Sequence, residues 1–421
     1  MKLTMACRAL AARISTFRRL LALLIVVAST PECLAQSGCT GDISGDGRTD
    51  GVDLAIVLTN WGPCNPGSAI SGVFPPYGPA AGGTSIAIVG VDLGATASVT
   101  IDGHLAPQFS VVSPTTVIAV TPPGTGGART IVLRNGQGQQ IASSTFNYSM
   151  TSLPWATILE QYPNPATVPS IALRNRIIET GLPWRVRDNG TGIEMLLVPP
   201  GNFQMGCSQA SDAAGCEAAE LPVHAVTLTG AFYIGRHEVT QAEWQAKVGW
   251  NTSHFQGSVD SPSRPVENVS WDHAQIFFLS QTGLRFPTEA EWEYAYRGGT
   301  STAFHGFEGQ AEGTNEYALV GNICWHESNS GGETHPVAGR AANGFGLHDM
   351  SGNVWEWVND RYEAYTAKPQ VNPTGAEVGG ARVIRGGYWN DGASGLRAST
   401  RGPFMSDGRC PCIGFRVARN P

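Results

Sequence analysis

The stretch that most constrains the fold is GFGLHDMSGNVWEW, from Gly344 to Trp357. Glu356 lies between two tryptophans, and three glycines interrupt the backbone before it. A buried carboxylate needs a counter-charge or several hydrogen-bond donors. Asp349 and Glu356, with backbone carbonyls turned inward at the glycines, supply the hard oxygen ligands that suit calcium. The alternative is an aromatic core that contains one hydrogen-bonded carboxylate.

The composition favours turn-rich extracellular domains. The chain has 421 residues, which is long enough for two or three domains. It contains 52 glycines and 27 prolines, and only 14% of its residues are charged. The net charge of −7 and the lack of a basic run beyond the N-terminus argue against a nucleic-acid partner.

Residues 1–35 have the pattern of a secretory signal. Four arginines precede or border the apolar run Leu20 to Ala28, which is too short to span a bilayer. Cleavage after Ala35 fits this pattern, and no later stretch is apolar enough for a membrane helix. We therefore expect an exported protein, secreted or at the cell surface, in an oxidising compartment.

Residues 37–66 contain one loop with calcium-binding spacing. Side-chain oxygens recur at alternate loop positions, and Gly47 stands where the sharp turn of such loops needs glycine. The predicted ligands are Asp42, Ser44, Asp46, Arg48 (through its carbonyl), Asp50 and Asp53. The loop and the helix after it resemble half of a dockerin module, and Cys39 and Cys64 on either side predict a disulfide. The alternative is a solvated turn.

Residues 69–149 predict an all-β, immunoglobulin-like sandwich. Short β-branched runs such as SIAIVGVDL and TTVIAVTPP are separated by Gly, Pro, Asn and Asp. The segment PPYGPAAGGTSIAIVG, the TPPG turn and the closing FNY resemble an IPT/TIG domain. Residues 150–190 predict a proline-rich linker with one short helix, SIALRNRIIETG.

Residues 191–419 predict an α+β domain. Two capping boxes begin the helices TQAEWQAKVG and TEAEWEYAYRGG, and SWDHAQIFFLSQTG predicts a third helix. Cys207 and Cys216 lie in one polar loop and predict a local disulfide. Cys324, Cys410 and Cys412 then remain, and a pairing of Cys324 with either of the others is open.

Four motifs in this domain resemble the formylglycine-generating enzyme family, also called the sulfatase-modifying factor family. They are RFPTEAEWEYAYRGG, GNVWEW, RVIRGGYWN and IGFRVAR. The resemblance implies that family's large, irregular relative of the C-type lectin fold. It also implies a calcium site at Asp349, Glu356 and the carbonyls of Gly352 and Val354. A less close match implies another at Asn322, the Ile323 carbonyl, Asn329 and Gly331, where Asn329 replaces the family's aspartate.

The enzymes of this family oxidise a sulfatase cysteine to formylglycine, using two cysteines that hold Cu(I), a soft ion suited to thiolates. At those positions the chain has Asp391, a hard ligand, and Leu396, which is no ligand. We therefore expect a non-catalytic protein that binds an extracellular protein or a glycan. The alternatives are a formylglycine-generating oxidoreductase with a relocated copper site and a purely structural extracellular domain.

The segment from Tyr388 to Cys412 predicts the ligand-binding face, anchored by arginines. Aromatic residues mixed with small polar ones are typical of paratopes. The predicted contact residues are Tyr388, Trp389, Asn390, Asp391, Ser394, Thr400, Phe404, Ser406 and Asp407. The segment also resembles the variable C-terminus of lectin-fold proteins that retroelements diversify at adenines of asparagine codons. The alternative is an ordinary turn-rich surface.

Overall fold

The computed structural model describes residues 68–150, 152–207, 215–307 and 312–421. The predicted signal segment, the calcium loop at Asp42 to Asp53 and the Cys39–Cys64 pair lie outside these residues. The chain divides into two compact units, Met1–Ala69 and Ile70–Pro421, and nearly all of the described residues belong to the second. None of the helices in the described ranges is long and apolar enough to cross a membrane.

The first described domain is built from nine strands in two sheets. The strands are β1 Ala69–Phe74, β2 Tyr77–Pro79, β3 Ser85–Val91, β4 Ser98–Ile101, β5 His104–Leu105, β6 Gln108–Ser113, β7 Thr116–Val120, β8 Gly127–Arg134 and β9 Gln140–Ser149. One sheet has the order β1-β3-β7-β6 and the other β2-β9-β8-β4-β5. Alternate residues such as Ile86 and Ile88 of β3 are buried, and both sheets contribute to one apolar core. The period-two pattern of the sequence therefore predicts this domain correctly.

The second domain contains three sheets. Its strands are β10 Ala156–Glu160, β11 Arg185–Asp188, β12 Glu194–Val198, β13 Gly201–Met205, β14 His224–Leu228, β15 Phe232–Gly235, β16 Trp355–Arg361, β17 Gln370–Val371, β18 Ala381–Arg385, β19 Arg401–Met405, β20 Ile413–Phe415 and β21 Ala418–Arg419. The sheet orders are β10-β11-β12-β15-β21, β13-β14-β17 and β19-β18-β16-β20. In the third sheet β16 pairs antiparallel with β18 and parallel with β20, so the GNVWEW motif leads into its centre.

The α-helices are α1 Ile171–Glu179, α2 Gln241–Val248, α3 Trp271–His273 and α4 Glu289–Arg297. The predicted capping boxes at Thr240 and Thr288 are both present, and they begin α2 and α4. The predicted third helix is only partly regular, because α3 continues as a π-helical turn, Ala274–Phe278, and a 3-10 turn, Leu279–Gln281. Further 3-10 helices are Ala218–Glu220, Ser261–Ser263, Tyr317–Asn322 and Ala393–Leu396.

The segment predicted as a linker, residues 150–190, belongs largely to the second domain. Both β10 and β11 lie within it, and they pair with each other antiparallel. Proline-rich composition suggested an extended connector, but the alternating apolar residues of two short strands supply a sheet edge instead. The prediction of one short helix in this segment is confirmed by α1, which Ser170 caps.

The two domains meet closely where α1 ends. Gly181 has a φ of +72°, and a Cβ atom there would lie 2.1 Å from the backbone nitrogen of Gly127 in β8. The Met150 N–H donates to the Gly181 carbonyl at 2.6 Å. Tyr77 and Tyr162 add a ring contact with centroids 4.1 Å apart. Glycine is therefore required at position 181 by both its conformation and its contacts.

Candidate functional site

The GNVWEW motif fixes both ends of the predicted ligand-binding segment. The Asn353 carbonyl accepts the Trp389 N–H at 2.9 Å, and the Trp355 N–H donates to the Cys412 carbonyl at 2.8 Å. Asn353 is fully buried and has a φ of +58°, a conformation that asparagine tolerates better than most residues. The segment from 388 to 412 is therefore tied at its two ends to the GNVWEW motif, at the start of the central strand β16.

The four arginines predicted as anchors are all buried, and each one pairs with a buried glutamate. The pairs are Arg385–Glu293, Arg397–Glu220, Arg401–Glu289 and Arg416–Glu356, which we call the arginine–glutamate frame. The closest N–O distance is 2.6–2.7 Å in the last three pairs. Each glutamate neutralises a charge that would otherwise be costly to bury. The frame therefore holds the segment from its buried side, where the frame has almost no contact with solvent.

Electrostatics within the frame keep the Glu289 carboxylate ionised despite its burial. Burial alone would raise the pKa of Glu289, but Arg401 and Arg385 hold it below its ordinary value. The glutamate partners were not predicted from the sequence. Glu289 and Glu293 lie in the first two turns of α4, where acidic residues are usually explained by capping and the helix dipole. Only their burial in the structure shows that they serve as counter-charges.

A row of aromatic rings lies at the predicted face. Tyr388 and Trp389 are in edge contact with ring centroids 5.3 Å apart, and Trp389 meets Phe255 edge-on at 5.5 Å. His254 continues the row, 4.9 Å from Phe255. The Trp389 indole N–H donates to the Pro411 carbonyl at 3.1 Å, which fixes the orientation of its ring. We call these four residues the aromatic row; the sequence pattern predicted only Tyr388 and Trp389.

The other predicted contact residues differ in exposure. Asn390, Ser394 and Asp407 are exposed, whereas Asp391 and Ser406 are half-buried. Thr400 is buried and its hydroxyl donates to the Ser394 carbonyl at 3.2 Å, so the structure gives it a turn-closing role, and its contact with a ligand stays a prediction. Phe404 packs edge-on against the buried Trp357, with centroids 5.7 Å apart, and thus contributes to the core on one side.

Asp391 and Leu396, the two positions at which the motif resemblance implies copper-binding cysteines, lie in different surroundings. Asp391 is half-buried, accepts the Tyr388 N–H at 3.1 Å, and has a pKa raised to about 6 by burial and by the nearby Glu327. Leu396 is fully buried in a small apolar cluster with Cys324. A carboxylate near the surface and a buried isobutyl group do not form a site for a soft metal ion.

The structure pairs the cysteines of the second domain locally. Cys207 and Cys216 form a disulfide with an S–S distance of 2.00 Å. Cys410 and Cys412 form another, so the open alternative of a bond to Cys324 is not the arrangement found. Cys324 is free and buried, and burial raises the pKa of its thiol well above the ordinary value.

At the calcium site implied by the motif, Glu356 is already engaged. Arg416 donates to both of its oxygens at 2.6 and 2.7 Å, and the Trp292 indole donates at 2.8 Å. Asp349 accepts the Ala338 N–H through one oxygen, while its Oδ1 atom is buried without a partner. Glu356 is therefore the hydrogen-bonded carboxylate of the alternative interpretation.

A residue that was not predicted, Glu238, lies in the same region. It is fully buried, and neither of its carboxylate oxygens has a partner within the described ranges. Burial raises its pKa well above the ordinary value, and Asp349 and Glu356 raise it further. No group of three or more His, Cys, Asp or Glu side chains in the described residues is arranged to hold a metal ion. The sequence did contain a signal for the burial of Glu238, because this residue lies between the apolar strand β15 and Thr240, the N-cap of α2.

The residues of the other implied calcium site lie in one loop. The Asn322 side chain donates to the Leu319 carbonyl at 3.0 Å. Both ends of the Asn329 amide are used inside the loop, with Oδ1 accepting the His326 N–H at 2.8 Å and Nδ2 donating to the Cys324 carbonyl at 3.1 Å. The structure thus gives Asn329 a turn-forming role, and calcium at Asn322, Ile323, Asn329 and Gly331 stays a prediction.

Comparison with known families identifies both described domains. Residues 68–150 match the IPT/TIG domain, and residues 184–421, more than half of the chain, match the sulfatase-modifying factor enzyme 1-like domain. The chain belongs to the sulfatase-modifying factor family. The two resemblances predicted from motifs are confirmed.

The relatives of this member of the sulfatase-modifying factor family differ in their named roles. The formylglycine-generating enzyme of Thermomonospora curvata is 35% identical over 201 residues, which cover 44% of this chain and 66% of that enzyme. Chaperone protein LppX of Paenibacillus barcinonensis is 28% identical over 275 residues, covering 54% of this chain and 89% of the relative. Treponema denticola variable protein 1 is 31% identical, with a TM-score of 0.49 and coverage of 54% and 95%. Because the match covers only 66% of the Thermomonospora curvata enzyme, it does not show that this chain has that enzyme's activity.

Proposed function

We propose that the second domain is a non-catalytic binding module of an exported protein, and that it recognises an extracellular protein or glycan. The observation that carries the proposal is the aromatic row, which lies at the surface while the arginine–glutamate frame beneath it is buried. Rigid rings give contact area at low entropic cost, and the exposed Asn390, Ser394 and Asp407 supply adaptable polar contacts around them. The fold of the module is proposed to be C-type-lectin-like.

Two observations favour binding over catalysis. Asp391 and Leu396 stand where the motif resemblance implies the copper-binding cysteines, and Leu396 is buried. The family also includes a relative named as a chaperone, which the chain covers over 89% of its length. The alternative, an oxidoreductase that converts a sulfatase cysteine to formylglycine, is favoured by the 35% identity to such an enzyme.

The binding function is tested by screening the full chain on arrays of extracellular proteins and glycans. A ligand of this face should bind the wild type and the Phe109→Ala control, which removes an exposed ring in the IPT/TIG domain. It should not bind the Tyr388→Ala, Trp389→Ala double variant that still folds. Ligands that bind the double variant with full affinity would place the site elsewhere.

The catalytic alternative has its own assay. The protein is incubated with Cu(I), oxygen and a sulfatase-motif peptide, and aldehyde is measured. We expect none. Aldehyde formation that Cys410→Ser or Cys412→Ser abolishes would establish the oxidoreductase instead.

Calcium is proposed as a stabilising ligand of this module. The unpartnered buried oxygens of Glu238 and Asp349 would hold it, with the carbonyls of Gly352 and Val354, and it would supply the positive charge these carboxylates lack. Glu238 here takes the place that the motif gives to Glu356, whose two oxygens accept from Arg416. Calcium should raise the melting temperature of the wild type, and Glu238→Gln should abolish that rise, because a ligand of the folded state stabilises it. A melting curve of the wild type that chelator leaves unmoved contradicts this site.

Three further parts of the proposal rest on sequence patterns alone. Residues 1–35 are proposed as the export signal, and residues 37–66 as a dockerin-like module with its own calcium site at Asp42 to Asp53. The segment from 388 to 412 is proposed to be diversified through its codons. A nearby DNA copy of this segment that differs only at adenines would support diversification, and the lack of one would contradict it.

A further inference from the structure

Half of the aromatic row comes from a loop far earlier in the chain. Residues 249–260, here called the Phe255 loop, connect α2 to the 3-10 helix Ser261–Ser263. The loop brings the ring of Phe255 onto Trp389, with interplanar angle 89°, and leaves His254 exposed beside it. Since Phe255 contacts Trp389, a residue of the predicted face, the loop borders the same surface.

The backbone of Phe255 is held at both of its polar groups by buried side chains. Gln241 Nε2 donates to the Phe255 carbonyl at 2.9 Å, and Glu267 Oε1 accepts the Phe255 N–H at 2.9 Å. Asn251 in turn donates to the Gln241 oxygen at 2.9 Å. Gln241 and Glu267 are 1% and 0% exposed, respectively. Two buried polar side chains are thus devoted to the position of one half-buried ring.

The loop is not packed tightly against α2. A groove of about 420 Å³ lies between them, lined by small and amide side chains that include Gln245, Gln256 and Ser258. Because open space lies on this side, apolar packing alone does not keep the Phe255 loop in place. The hydrogen bonds of Phe255 with Gln241 and Glu267 therefore help to hold it, together with those that join Thr252 to Asn268.

We propose that the Phe255 loop is a fixed second wall of the ligand-binding face and that Glu267 is its positioning residue. The inference rests on the proposed function, because it assigns more residues to the same face. Phe255 lies outside the segment from 388 to 412. Its contribution to affinity is therefore the same whichever residues vary within that segment. Aromatic anchors held rigidly at the centre of a face are the residues whose truncation weakens binding most.

The proton on Glu267 links the loop to pH. Glu267 Oε2 is buried without a partner in the described part of the chain, and burial raises the pKa of the carboxyl to about 7. The groups that act on it are the backbone N–H groups of Phe255 and His254, and no charged side chain of the described residues does so. The protonated carboxyl accepts the Phe255 N–H without burying a charge. Ionisation above pH 7 leaves an unpaired buried charge, which favours opening of the loop.

The wall is tested with peptides selected from a random phage-displayed library on the immobilised full chain, with the Tyr388→Ala, Trp389→Ala variant used for counter-selection. We expect Phe255→Ala to weaken a selected peptide about tenfold or more. The control Phe109→Ala, in the IPT/TIG domain, should change its affinity less than about twofold. Undiminished affinity in Phe255→Ala overturns the second wall and leaves the proposed face intact. If no peptide survives counter-selection, the proposed function fails and this inference with it.

The positioning role is tested with the same peptide at pH 6 and pH 8.5. Wild-type affinity should fall as the pH rises through about 7, since Glu267 then ionises. Glu267→Gln keeps an acceptor for the Phe255 N–H without a charge, so it should bind like the wild type at pH 6 and lose less at pH 8.5. Glu267→Ala should bind weakly at both values. Identical pH profiles for the wild type and Glu267→Gln would overturn the role of Glu267.

Discussion

The two described domains are stabilised by different kinds of interior. In the IPT/TIG domain the buried core is formed by aliphatic and aromatic side chains, and the ion pair of Arg129 with Asp102 is partly exposed on both sides. In the sulfatase-modifying factor domain four arginines are buried to 5% exposure or less, and each pairs with a buried glutamate. The buried residues described in the first domain include no charged side chain, whereas buried ion pairs lie throughout the interior of the second.

The difference follows from how much regular structure each domain has. Strands of a sandwich satisfy their own backbone groups, so alternating apolar residues are enough to define the fold. The segment from 386 to 412 has only β19 and a short 3-10 helix, and long side chains must hold its turns. Arg385 does so by donating to the carbonyls of Ala398 and Thr400. Buried guanidinium groups thus replace a missing strand partner.

The largest expected effect is the loss of Glu293. Its carboxylate accepts from Arg297, Arg385 and the Gly206 N–H, so Glu293→Ala removes the counter-charge of Arg297 and the nearer of the two carboxylates beside Arg385. We expect a loss of about 3–5 kcal/mol in the free energy of unfolding. Urea unfolding followed by tryptophan fluorescence measures it, because residues 69–149 contain no tryptophan.

The matched control lies in the other domain. Arg129→Ala removes a partly exposed ion pair and should cost roughly 1 kcal/mol or less. Hydrogen exchange of the amides in β8 would report it. Similar losses in Glu293→Ala and Arg129→Ala would mean that the two interiors do not differ in the way proposed.

The sequence predicts the parts of the fold that local interactions determine. The capping boxes at Thr240 and Thr288 and the alternating strands of the sandwich depend on residues close together in the chain. The arginine anchors were visible too, but their partners were not. Glu293 lies 92 residues from Arg385, and Glu220 lies 177 residues from Arg397. Nothing in a single sequence specifies pairs at such separations.

The candidate site was predicted to the same partial extent. Tyr388 and Trp389 stood out as adjacent rings in a glycine-rich segment, whereas Phe255 lies in an unrelated loop and carries no local signal. Thr400 is a small polar residue, and nothing in the sequence around it indicates that it is buried. The structure buries it because its hydroxyl closes the turn onto Ser394.

A smaller effect is expected from Asp360, which is buried beside the frame. Burial and the nearby Glu289 raise its pKa to about 8, so it is protonated in the folded protein and ionised in the unfolded chain at neutral pH. For an acid whose folded pKa is raised, stability falls as the pH rises from the unfolded pKa toward the folded one. Each pH unit between the two pKa values costs about 1.4 kcal/mol, and this slope flattens near pH 8, where the folded group is half ionised. The wild type should therefore lose about 2 kcal/mol from this group between pH 6 and pH 8.

Asp360→Asn isolates this contribution. The amide oxygen can still accept the Glu289 N–H, which the carboxylate accepts at 2.9 Å, but it cannot ionise. Urea unfolding at pH 6 and pH 8 should show a shallower loss of stability in the variant than in the wild type. Equal slopes would show that Asp360 is already ionised when buried, so that the frame tolerates an additional negative charge.

The smallest effect is expected at the exposed positions between the anchors, and it separates the frame from the surface that it supports. Asn390 and Ser394 are exposed, and no hydrogen bond of either side chain is found in the described structure. Asn390→Ser and Ser394→Asn should therefore change the free energy of unfolding by about 0.5 kcal/mol or less. A loss above about 1 kcal/mol in either variant would contradict the separation. The fold would then depend on the residues that the proposed function requires to vary, and a diversified ligand-binding face could not be built on this segment.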